Sequence, residues 1–239
     1  MKERPILFSG PMVRALLTGT KTQTRRAVKI THRTPGLAAC LESRGFKPDL
    51  MLAATLCPYG QPGDRLWVRE TFKEAHPVSF QPGRVGERRL YAGIPGPPPV
   101  DYLVAYRADG ELLPYWHSDE YPYRALRPRD DLDLKFNPRG CETGWDSPIH
   151  MPRTASRLTL EITAVRVERL QDISSADAIA EGLDFVPDGA AAHGIKGLAT
   201  SWSNDPRKSY RALWESLNGD GSWDANPWVW VIESKRVTA

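Results

Sequence analysis

The 239-residue sequence is short of cysteine, of long apolar runs and, over its first fifty residues, of acid. Only Cys40, Cys57 and Cys141 occur, scattered, odd in number and without a C-x-x-C pair. That speaks against a disulfide framework and predicts free thiols in a reducing compartment. Their spacing matches no standard zinc pattern even with His117 or His150 added, so neither a metal nor a cofactor is implied. No apolar run approaches the roughly 18 residues of a membrane span, which leaves no membrane partner to expect. The opening Met1-Lys2-Glu3-Arg4-Pro5-Ile6 is polar again by Ser9, unlike a secretory leader, and the expected location is cytoplasmic.

Residues 1–50 hold ten Lys or Arg against three acids, an excess of +7; the whole chain carries +3, so the remainder carries −4. A local basic field suits a nucleotide or RNA partner. It suits equally a solvated face whose counter-charges come from elsewhere in the fold.

Within this region Gly19-Thr20-Lys21-Thr22-Gln23-Thr24-Arg25-Arg26 contains one lysine, three threonines, two arginines and no acid. Pro11 to Thr18 reads as a helix, with Ser9 placed to cap it and Met12, Val13, Leu16 and Leu17 at helical spacing. Gly19 is the expected left-handed terminator. The β-branched residues that follow predict a strand from near Thr22. Alternation puts Thr24 and Arg26 on one face and Lys21 on the other, so Lys21 must lie on the turn if it is to reach Thr24.

Further along, strands are expected over Pro5 to Phe8, Arg65 to Phe72 and Tyr102 to Arg107. Ser156 onward alternates until a phase slip near Thr163-Ala164, which predicts a bulge. Ser174-Ser175-Ala176-Asp177 is a helix start, with Ile173 ahead of it and Gly182 as the stop. Asp205-Pro206 opens another helix with Tyr210, Leu213, Trp214 and Leu217 as its apolar stripe, and Trp228 to Ile232 reads as a buried central strand. Proline, at 21 residues, is nearly twice the usual share of about 5%. It gathers in loop-rich insertions at about 31–61, 73–102 and 108–150, the first with a short helix around Gly36 to Ser43, in what reads as a single domain over 1–239. The chain is mixed α+β, dominated by a small curved sheet or barrel.

Gly19-x-Lys21-x-x-Thr24-x-Arg26 after a short N-terminal helix resembles the signature of the ASCH-domain family. Gly63-Asp64-x-Leu66-x-Val68, Leu158–Val167 leading into Asp172–Gly182, and Trp228 to Ile232 resemble its later elements. The resemblance covers about half the chain; the rest looks like the insertions of a longer variant found in phages and prophages. It implies a PUA-like β-barrel with flanking short helices. Some enzymatic members are amidohydrolases that deacetylate N4-acetylcytidine with a lysine, a threonine and a glutamate. By motif position these match Lys21, Thr24 and Glu181. In that chemistry the threonine attacks the amide carbonyl and a lysine of lowered pKa takes its proton. Glu181 orients the lysine or protonates the departing amine. Arg25 and Arg26 become substrate-binding or pKa-setting cations, with Glu70 as a second candidate carboxylate. The alternative function is a non-catalytic RNA or modified-base binding module, or an accessory protein of phage origin.

Overall fold

The computed structural model describes residues 1–31, 34–41, 47–75, 100–109, 112–118, 145–187, 192–196 and 198–237. In chain order the elements are β1 (Glu3–Leu7), α1 (Gly10–Thr18), β2 (Gln23–Ala27), α2 (Pro35–Leu41), α3 (Leu50–Thr55), β3 (Arg65–Arg69), β4 (Phe72–Ala75), β5 (Val100–Tyr106) and β6 (Leu112–Ser118). There follow β7 (Thr159–Arg169), α4 (Ser175–Ala180), β8 (Asp184–Val186), β9 (Ala192–Ile195), β10 (Leu198–Ser203), α5 (Pro206–Asn218) and β11 (Trp228–Val237). Contacts divide the chain into two compact units. The first is Met1–Arg4, Arg14–Trp67 and Leu158–Ala239; the second is Pro5–Val13 and Val68–Arg157. The sequence shows no linker at these boundaries, which run through β1, α1 and β3.

The main sheet has the order β1-β3-β7-β11-β2. β11 is central, as its apolar residues on both faces require: Val229, Trp230, Val231 and Ile232 are all buried. It pairs antiparallel with β7 on one side and β2 on the other. Glu233 faces Ala164 while Ser234 faces Ile162, so Thr163 is the extra residue of a bulge at the place where the alternation slips. The chain is α+β, but the expected closed barrel is not seen. The sheet ends at β1 and β2, and no ladder joins these two edges among the described residues. Both edge strands are five residues long, against 11 for β7 and 10 for β11, so they offer little backbone for a closing ladder.

Local detail extends these readings and in one place differs from them. In the insertion at 31–61, α2 stands where a short helix is expected, and a second helix, α3, is capped by Asp49, whose side chain accepts from the Leu52 N–H at 2.9 Å. Among the described residues after α4, β8, β9 and β10 form a three-stranded antiparallel sheet; its strands are too short to show a period. Leu217, assigned to the apolar stripe of α5, is 57% exposed, because it lies in the last turn before Gly219. Cys40 and Cys57 are buried free thiols; Cys141, His117's side chain and most of the two later insertions lie outside the described residues.

In the second unit, β4, β5 and β6 form an antiparallel sheet. Phe72, Tyr106, Met151 and Ala155 make a small core there, and Tyr106 Oη donates to the Ala155 carbonyl at 2.8 Å. The predicted strand over Arg65 to Phe72 is broken at Glu70-Thr71 into β3 and β4.

Candidate functional site

Two glycine turns build the site in the first unit. Gly19, at φ +78°, ends α1, and the Lys21 N–H then donates to the Ala15 carbonyl at 3.0 Å. Gly182, at φ +93°, ends α4. A Cβ there would lie 2.8 Å from that of Ala15 and 2.9 Å from that of Lys21, so glycine is required for both backbone angle and space. The close approach sets Lys21 opposite Glu181 in an antiparallel bridge, and the Thr22 N–H donates to the Ala180 carbonyl at 2.9 Å. The start of β2 is thereby fastened to the end of α4, and Lys21 and Glu181 are held on neighbouring backbones.

Lys21 Nζ donates to Glu181 Oε2 at 2.9 Å and to the Glu181 carbonyl at 2.8 Å. The other carboxylate oxygen, Oε1, accepts from Arg25 Nη1 at 3.0 Å. Arg25 also donates to Gln23 Oε1, and through Nε and Nη2 to Glu168 Oε1 at 3.1 and 2.6 Å. Its Nη2 lies 3.3 Å from Asp177 Oδ2. Arg166 bridges Glu168, Asp177 and Glu233 at the more open edge. Lys21, Arg25 and Glu181 are 5%, 2% and 3% exposed, so the charges meet inside the fold, where pairing alone makes them tolerable.

The electrostatic consequence falls on the lysine. Burial pushes the Lys21 ammonium below its ordinary 10.5; the Glu181 charge and hydrogen bond oppose this, while Arg26 and Arg25 reinforce it. Arg25 is held charged, since its carboxylate partners outweigh its own burial. Burial also keeps the neighbouring Tyr210 phenol protonated well above 10.0, with Glu181 acting in the same direction. The Arg25 guanidinium carbon sits 5.9 Å from the Tyr210 ring centre. Lys21 is therefore a buried cation whose proton is loosened.

Of the residues singled out from sequence, Lys21 and Glu181 meet. Thr24 does not join them. In the antiparallel register, residues directly opposite share a face. Thr24, Ile232 and Val165 lie on one face with Arg26, Trp230 and Val167; Gln23, Arg25, Arg166 and Glu168 lie on the other. Lys21 follows the second set, as its shared partner Glu181 shows. Thr24 Oγ1 is buried without a hydrogen-bond partner. Arg25 is enclosed by carboxylates and so differs from the expected substrate-binding cation. Arg26 is half-buried, and its Nη1 donates to the Arg25 carbonyl at 3.3 Å. Glu70 belongs to the second unit, where both its oxygens accept from Arg157 at 2.9 Å.

Sequence reasoning missed Gln23, Glu168, Asp177, Arg166 and Glu233. The signal was the two-residue spacing of Lys21, Gln23 and Arg25, which stacks three polar side chains on one face of a strand. Among the described residues no group of His, Cys, Asp and Glu is arranged to hold a metal ion, and no helix is long and apolar enough to cross a membrane.

Fold and site together define an α+β chain with a buried lysine–carboxylate–arginine cluster at the junction of a sheet edge and a short helix. Compared with protein-family models, curated proteins and solved structures, the chain matches none.

Proposed function

We propose that this chain is a PUA-like protein of the ASCH type that binds a nucleoside or nucleic-acid base beside Gly19–Arg26 and hydrolyses the amide of an N4-acylated cytidine. The observation that carries the reading is the Lys21–Glu181 pair: a buried lysine, of lowered proton affinity, held at 2.9 Å by a carboxylate that Arg25 fixes from its other side. The resemblance of the surrounding motif supplies the substrate class.

In the reaction an oxygen nucleophile adds to the acyl carbonyl, the bond to the exocyclic nitrogen breaks, and water completes hydrolysis to the carboxylic acid and the free amine. Neutral Lys21 accepts the nucleophile's proton and returns it to the departing nitrogen. Glu181 positions the lysine throughout. The resemblance makes Thr24 the nucleophile, but its hydroxyl belongs to the opposite face of β2. Without a rearrangement there, the lysine–carboxylate pair serves water instead. Arg26 is the cation nearest in sequence for a phosphate or ribose.

That placement of Thr24 also favours a second reading, a base-binding module without turnover. One experiment separates them: purified protein is incubated with N4-acetylcytidine and cytidine release is followed by chromatography. Release that is lost in Lys21→Ala supports hydrolysis. Binding of the nucleoside without release supports the module, and full turnover by Lys21→Ala overturns the role of the pair.

A further inference from the structure

The end of β2 carries a separate feature that the lysine–glutamate chemistry leaves unused. A cavity of about 290 Å³ opens where β2 ends against α2 and the segment after α3, lined by Ala27, Lys29, Leu37, Leu56, Tyr59 and Trp230, together with Thr34 and Pro58. A neighbouring cavity of about 230 Å³ shares Thr34, Leu37 and Leu56 with it. Trp230, 2% exposed, and Leu37, 4% exposed, form the floor, while Tyr59 is half-buried and Leu56 and Lys29 are exposed at the rim.

Three properties restrict what fits. The size lies at the lower end of small-molecule sites, which run from about 300 Å³ upward, so it suits one ring system with a small attachment. The lining is aromatic and aliphatic, which calls for a ligand with flat apolar faces. Among the described residues its single charged lining residue is Lys29, no acid lines it, and Lys29 has no ion-pair or hydrogen-bond partner. An aromatic floor with such a cation at the lip matches a nucleobase that carries a phosphate.

We propose that this cavity is a nucleotide subsite, distinct from the Lys21–Glu181 site, in which the base lies against Tyr59 and the Trp230 floor and the phosphate meets Lys29. It stands apart from the hydrolysis reading, because none of its described lining residues belongs to the charged cluster around Lys21 and Glu181. The shared chemistry is base plus phosphate; the source is a free nucleotide or a unit of an RNA strand.

The test is calorimetric titration of the full chain, at low salt, with cytidine, cytidine 5′-monophosphate and a single-stranded cytidine hexanucleotide. The monophosphate is expected to bind more tightly than cytidine. Tyr59→Ala should weaken both roughly tenfold, the scale of one lost base–aromatic stack, while Tyr59→Phe keeps wild-type affinity. Lys29→Gln should bring the monophosphate down to the cytidine level and reduce the salt slope by about one phosphate contact. A hexanucleotide tighter than the monophosphate identifies the strand as the ligand; equal affinity identifies the free nucleotide. No binding of either phosphate-bearing probe, or binding indifferent to Tyr59→Ala, overturns the proposal. These outcomes are read without turnover, so failure of the hydrolysis reading leaves the subsite standing, and the reverse.

Discussion

Each unit of the molecule buries an ionic group, and the two groups are built differently. In the second unit Glu70 and Arg157 form a two-point fork, with Arg157 also 2.8 Å from Asp109 and 4.0 Å above the Tyr106 ring centre. Both carboxylate oxygens go to one guanidinium, which its partners hold charged against its burial. In the first unit the Glu181 carboxylate is divided, one oxygen to Arg25 and one to Lys21. Arginine does not lose its proton at accessible pH, whereas a desolvated lysine does. The fork is a structural device; the divided carboxylate keeps a proton donor and acceptor in a fixed place.

The largest effects should come from removing either arginine. Arg25→Met and Arg157→Met each take a guanidinium away from a buried carboxylate that it holds by hydrogen bonds, a loss of about 3–5 kcal/mol, or a fall in Tm of roughly 6–20 °C for a chain of this size. Thermal melts would check this. The double variant Glu70→Leu/Arg157→Met should recover most of the loss, since a buried fork can be replaced by apolar packing. A Tm for Arg25→Met equal to wild type would break the likeness between the two clusters.

Activity should break the symmetry. Lys21→Met is expected to lower deacetylation by about 10²–10⁴-fold, the usual worth of a positioned acid–base group, while Glu70→Gln leaves the rate per folded molecule unchanged. In the wild type the rate should rise with pH through the lowered Lys21 pKa, below 10.5. The sign for stability is the same. The unfolded chain holds this proton more tightly than the folded one, so stability rises with pH from the lowered value toward 10. Above that, the unfolded Tyr210 begins to ionise before the folded one and the slope reverses. Denaturant melts of wild type and Lys21→Met across this range would expose the lysine's share.

A smaller effect is expected from Gly182→Ala. The left-handed backbone and the contacts at 2.8 and 2.9 Å should cost about 1–3 kcal/mol and separate Lys21 from Glu181, lowering turnover beyond what stability explains. The smallest concerns Thr24→Val. Its buried hydroxyl has no partner, so an isosteric methyl should raise stability by about 1 kcal/mol. If turnover survives in that variant, water is the nucleophile; if turnover is lost while stability rises, Thr24 acts in a rearranged state.

The comparison also marks what was legible in the sequence. Gly19 and Gly182 announce their turns, Ser174 caps α4 by accepting from the Asp177 N–H at 3.0 Å, and the slip at Thr163 is the bulge. Lys21 and Glu181 are 160 residues apart, and only the motif resemblance connected them. Glu168 and Arg166 find partners through the β7–β11–β2 register, which no local pattern encodes. Glu70 was ambiguous for the same reason: Arg157, 87 residues later, decides its role. The alternation that separates Thr24 from Lys21 is visible in the sequence, and the β2–β11 register keeps it.

The most direct test of the divided carboxylate is the titration of Lys21 itself, followed by NMR of lysine labelled at the ε-carbon, with Lys21→Met to assign the signal. A midpoint below 10.5 that falls further in Glu181→Gln is the predicted result, because Glu181 is the group that raises it. A midpoint at or above 10.5, or one that ignores Glu181→Gln, would contradict the central claim.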